Sequence, residues 1–184
     1  EDDDIDAEDY HEFLSNFGSY LDIEKPSLLS NISYFINFQL SKMYFRYFMW
    51  NFSGRQNDKQ WKYDLENGNW ISGINLIDEY RLGPQKNLPS DVINNKARNQ
   101  YYLIPFILGI IGLIFIFKKN LKIFWPIFLL FIFTGIALKF YLNERVFEPR
   151  ERDYALVGSF YTYCIFIGFS FIACLLYTSP SPRD

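Results

Sequence analysis

Between two long apolar runs the sequence reads NERVFEPRERDY (143–154), in which seven of twelve residues are charged. Arg150 and Arg152 stand two apart. In an extended backbone they point to one face, with Glu151 and Asp153 on the other. If Pro149 instead starts the following helix, the free N–H groups of its first turn add an anion site beside those arginines. Arginine suits an oxyanion, because its planar fork donates two parallel hydrogen bonds and keeps its charge. The same residues can also pair among themselves, Glu148, Arg150, Glu151, Arg152 and Asp153 pinning the helix ends. The spacing alone names no ligand for them.

A second pair of cations, Lys42 and Arg46, lies four apart in the aromatic stretch MYFRYFMW. Apolar residues recur with helical spacing from Leu28 through Ile32, Phe35, Ile36, Leu40, Met43 and Tyr47 to Trp50. Ser30, Ser33, Asn37 and Ser41 form a polar stripe beside them. A span here would hold two cations inside hydrocarbon, which is costly. The pattern predicts an amphipathic helix at the bilayer interface over 27–53, its aromatics at headgroup depth and its cations turned to water or phosphate. Lys42 and Arg46 are thereby candidate lipid-headgroup contacts.

These elements are positioned by runs that can cross a membrane. Residues 101–117 carry no charge, and as a helix they extend about 25 Å at roughly 1.5 Å per residue. Residues 123–142 and 154–173 give two more spans. Pro105 and Pro126 are expected in first helical turns, where a missing N–H is harmless. Lys139 is close enough to a span end to snorkel. Gly109 with Gly112, and Gly158 with Thr162, suit close helix packing within a larger bundle. Lys118, Lys119 and Lys122 favour a cytoplasmic turn, but Lys96, Arg98, Arg145, Arg150 and Arg152 lie on the opposite side, so charge counting leaves orientation open.

The water-facing part is residues 1–100, with 16 acids against 10 bases, net −6. That balance excludes nucleic acid as a partner, which needs clustered Lys and Arg. Residues 1–26, with eight acids in the first twelve, read as an external linker. A calcium loop over them fails, since Ala7 and Phe13 stand where Gly and Glu are required, and no metal site is expected. Residues 54–100 form a loop-rich external segment, with turns at Asn67-Gly68, Gly83-Pro84 and Leu88-Pro89 and a short helix around 71–81. It carries no Gly-rich phosphate loop, GxSxG or His cluster. The last stretch, CLLYTSPSPRD (174–184), reads as one translated frame of a sequencing adapter. That leaves Cys164 as the one native cysteine, in an internal fragment of a longer protein.

Four segments carry a resemblance: MYFRYFMWNFSGRQND (43–58), NGNWISGINLIDEYRLGP (67–84), NNKARNQYYLIPFILGIIGL (94–113) and EPRERDYALVGSFYTY (148–163). In this order they resemble large bacterial multi-pass membrane proteins similar to protein O-mannosyltransferases of the GT-C superfamily, over most of residues 10–173. The resemblance implies a glycosyltransferase of the bacterial inner membrane. It would transfer a sugar from a polyprenyl-phosphate carrier to a protein Ser or Thr on the external face. It also implies that residues 1–100 and 143–154 are external and the Lys118–Lys122 turn cytoplasmic. In that setting Arg150 and Arg152 become donor-phosphate contacts, because negative charge develops on the phosphate as sugar leaves. The general base of such enzymes lies in the first external loop, upstream of Glu1, so no catalytic base is assigned and this stretch alone is expected to be inactive.

The expected fold is therefore an all-α membrane protein, part of a larger GT-C-like bundle. It has three transmembrane helices, an interfacial amphipathic helix and a loop-rich external segment. Its partners are membrane lipids, the lipid-linked sugar and an acceptor protein. A lipid carrier or flippase would need ionisable residues inside the spans, and a non-catalytic scaffold would carry no acid in its first external loop.

Overall fold

The computed structural model describes residues 7–18, 26–61, 64–143 and 153–178. Two compact units divide the chain at Ser33/Tyr34.

The first unit contains α1 (Ala7–Phe17) and most of α2 (Leu28–Tyr34). The acidic stretch thus carries a helix where a linker was expected. Glu8 and Asp9 in its first turn complement the helix dipole, and Phe13 and Phe17, four apart, bring their rings to 5.3 Å. At α2 the Ser27 hydroxyl accepts from the Ser30 backbone N–H at 3.2 Å, as an N-cap does.

The second unit is built on helices. A π-helical segment (Phe35–Phe45) runs into α3 (Arg46–Phe52). Next come β1 (Gly54–Arg55), α4 (Asn75–Leu82), α5 (Ser90–Ile93) and β2 (Asn99–Gln100). Then follow α6 (Ile104–Lys119), α7 (Leu121–Ile132), a second π segment (Phe133–Ala137), α8 (Leu138–Leu142) and α9 (Asp153–Thr178). Among the described residues, two helices are long and apolar enough to cross a membrane, Leu121–Leu142 and Tyr154–Thr178. With sixteen residues α6 extends about 24 Å, short of a hydrocarbon core.

Glycines let these helices meet. A Cβ at Gly109 would fall on the Tyr163 ring, and one at Gly112 on the Phe166 carbonyl. Gly158 abuts Thr134 in the same way. The close packing foreseen from these glycines lies inside this chain, chiefly between α6 and α9. Pro126 departs from expectation: α7 begins at Leu121, so the proline stands inside the helix rather than in its first turn. Asn120 supplies the actual cap, its side chain accepting from Lys122 and Ile123 N–H at 3.0 and 3.3 Å.

The stretch from Met43 to Phe52 is not laid on a surface. Met43, Tyr44, Arg46, Tyr47, Phe48, Met49, Trp50 and Phe52 are all buried. Phe48 sits among Phe52, Phe106, Phe131, Phe160 and Tyr163, with ring centroids 4.7–6.4 Å away. Each such aromatic buries a large apolar area, so this segment is the centre of the core. An amphipathic reading misses it because the stretch is apolar on nearly every side.

The polar segment is pinned to the helices by a small antiparallel ladder. Gly54 pairs with Gln100 and Arg55 with Asn99, Arg55 bridges Trp70, and Tyr101 N–H donates to the Ser53 carbonyl at 2.8 Å. Helix α4 ends at Gly83 with φ 85°, a left-handed conformation that glycine adopts at little cost.

Candidate functional site

The two π segments cross, and polar groups gather where they do. In a π-helix five residues make about one turn, so Gln39 and Tyr44 share a face that an α-helix would split. Gly135 and Lys139, four apart on the facing element, likewise share a face. Tyr44 Oη and Ser159 Oγ lie 2.6 Å apart. A Cβ at Gly135 would sit 2.6 Å from the Ser159 hydroxyl and 2.7 Å from that of Tyr44, so only glycine leaves the pair its room. One turn on, Gln39 Nε2 donates to Asn143 Oδ1 at 2.9 Å, and Lys139 is 2% exposed. The lysine does not snorkel: its side chain is buried among the packed helices. An ionisable group so placed within an apolar helix is a mark of function in membrane proteins.

The hydroxyl pair gives a stability prediction. Tyr44→Phe and Ser159→Ala each leave one hydroxyl without its partner, and each should cost about 1–2 kcal/mol. The double mutant should cost less than the sum of the singles. Additive losses in chemical denaturation would show that the contact does not couple the helices.

The cation pair divides. Lys42 is exposed, with Nζ 5.8 Å from the Trp61 ring centroid. Arg46 is 4% exposed. Its Nε donates to the Lys42 carbonyl at 2.9 Å, an Nη donates to the Gly68 carbonyl, and its guanidinium lies 5.3 Å from the Trp61 ring. Arg46 thus clamps the Asn67-Gly68 turn onto the helix instead of facing water. Gly68, at φ 65° and against the Trp61 backbone, leaves no space for a side chain there.

Two further arginines cover tryptophans in the polar segment. Arg81 lies 3.5 Å from the Trp70 ring centroid and donates to the Trp70 carbonyl at 3.1 Å, and Arg55 lies 4.7 Å from Trp50. Asp78, 3% exposed, accepts from Ser72 N–H at 2.7 Å, Ser72 Oγ at 3.0 Å and Gly73 N–H at 2.8 Å. Burial pulls the Arg81 and Arg98 guanidiniums below their ordinary value, and the charge of Asp78 opposes this. Tyr102 and Leu103 both adopt positive φ, 54° and 60°, at the entry to α6. For bulky residues this is strained backbone, and it sits where the polar segment meets the helices.

Arg150 and Arg152 lie outside the described residues. Their loop is reached at its first residue, Asn143, which Gln39 holds. Gln39, Tyr44, Ser159 and Asp78 were not singled out from sequence. A scan at five-residue spacing would have paired Gln39 with Tyr44; nothing local signals Ser159. Among the described residues no group of three His, Cys, Asp or Glu side chains is placed to hold a metal. Comparison with protein-family models, with curated proteins and with solved structures finds no match in any of the three.

Proposed function

We propose that this chain is part of a glycosyltransferase of a bacterial inner membrane, moving a sugar from a polyprenyl-phosphate donor to protein Ser or Thr on the external face. Helices α6, α7–α8 and α9 are its three crossings in a larger GT-C-like bundle. The four ordered sequence segments support the family. The observation that carries the site is the Gln39–Asn143 hydrogen bond, which joins the aromatic helix to the first residue of the arginine-bearing loop. Departure of the sugar leaves charge on the donor phosphate, and Arg150 and Arg152 neutralise it; Lys42, exposed nearby in sequence to the same helix, meets a lipid headgroup.

The test uses the intact parent protein in membranes, with a polyprenyl-phosphate sugar and an acceptor peptide. Arg150→Ala and Arg152→Ala should each lower transfer about 100-fold, comparable to losing one oxyanion donor. The Lys variants should recover part of it. Unchanged transfer in all four at normal expression would overturn the assignment.

A second reading, a lipid carrier or flippase, is favoured by one observation, the burial of Lys139 within an apolar helix. It predicts that Lys139→Met abolishes lipid translocation in membranes where no sugar transfer is detected. A non-catalytic scaffold predicts neither activity.

A further inference from the structure

The Trp50 indole Nε1–H is buried and, among the described residues, has no hydrogen-bond partner. The residue is 8% exposed, and a buried donor left without an acceptor is rare enough to require an explanation. Arg55 stands over the same indole, 4.7 Å from its centroid. Among the described residues its guanidinium makes one hydrogen bond, to Asn51 Oδ1 at 3.1 Å, and no ion pair. A guanidinium has five N–H donors, so most of them remain available beside an unpaired indole donor.

The level at which this pair sits suggests what reaches it. Tyr163 Oη donates to the Phe106 carbonyl at 2.6 Å, which fixes the first turn of α6 against the middle of α9. From Tyr163 back to the start of α9 is ten residues, about 15 Å of helix. Phe52 packs 4.7 Å from Tyr163 and Tyr47 packs 5.5 Å from Phe160, so Trp50 lies two to three turns below that start. At the same level the chain leaves the helix into the irregular, polar backbone from Ser53 onward. Irregular backbone at this depth must be buried in protein or face water. Phe133, Phe140, Val157 and Tyr161 are exposed on the second π segment, α8 and α9.

We propose that Trp50 Nε1–H and the Arg55 guanidinium together bind a phosphate oxyanion, borne by a lipid headgroup or free in solution. This site is separate from Arg150 and Arg152. It does not rest on sugar transfer, so loss of one reading leaves the other standing. The half-buried Arg55 side chain covers the face of the indole, and rotation about its Asn51 contact would admit the ligand.

The experiment is NMR of the indole N–H groups in the full chain, labelled with 15N-tryptophan and held in maltoside micelles free of phosphate. Trp50→Phe assigns the Trp50 signal. Dodecyl phosphate doped into the micelles should move that signal downfield, while Trp61, Trp70 and Trp125 stay in place and report an intact fold. Arg55→Gln should weaken the midpoint about tenfold, and Arg55→Lys less. An equal response to inorganic phosphate would keep the oxyanion site and identify free phosphate as its source. A Trp50 signal that moves with neither probe would overturn the site. So would a response that Arg55→Gln leaves unchanged, since a trapped water would then account for the donor.

Discussion

Replacing Gly112 by alanine is expected to unseat α6 from α9. The added Cβ would fall on the Phe166 carbonyl, 2.7 Å from its carbon and 2.9 Å from the Ser170 nitrogen. These are main-chain atoms of a helix and cannot turn aside as a side chain would. Overpacking of this kind should cost about 3 kcal/mol, more than the roughly 1 kcal/mol that alanine gains over glycine in helix propensity. Gly168 is the internal control, because nothing lies within 4 Å of the Cβ it would acquire. Gly168→Ala should leave stability unchanged or raise it. Thermal unfolding in micelles, followed by circular dichroism, reads both. Equal melting temperatures for the two variants would mean that α6 and α9 do not pack through Gly112.

The second large effect is local to the polar segment. Asp78 accepts from two backbone N–H groups and one hydroxyl in the Ser72–Gly73 turn. Removing the carboxylate in Asp78→Ala strands those donors inside protein, at about 3 kcal/mol or more. Asp78→Asn keeps the shape but turns an N–H₂ toward one of the donors, and should lose roughly half as much. The helical core does not depend on this turn, so its melting should change little. Limited proteolysis between Gly83 and Arg98 should accelerate instead. A variant as protease-resistant as the parent would show that the ladder with β1, not Asp78, holds the segment.

The parts that could be read from sequence are those decided by average hydropathy and by turn residues. The apolar runs ending at Leu142 and beginning at Tyr154 became helices at nearly those positions, and Gly83 ended α4 as its type demands. Residues whose role depends on the facing element were less accessible. Lys139 and Arg46 were both expected to reach outward, since a long cation near a polar boundary usually does. Their burial follows from a seam between helices and from the Gly68 turn, neither of which has a local signature. The π segments escaped for a geometrical reason: periodicity searched at the α-helical angle places Gln39 and Tyr44 on different faces. The tryptophan–arginine pairs are set by folding of the 53–100 segment against the helix before it, which brings together side chains five to fifteen residues apart.

Sixteen residues of α6 stand beside twenty-two of α7 through α8. Were α6 to cross a bilayer as proposed, the two would demand unequal hydrophobic thickness, about 24 Å against about 33 Å. Lipid next to α6 would have to thin by several ångströms while lipid next to α7 and α9 relaxes to its natural depth, and each ångström of mismatch carries a modest cost. The protein would then sort toward thinner membranes, and the lowered lipid surface beside α6 would bring headgroups down toward the level at which Tyr101 and Ser53 meet.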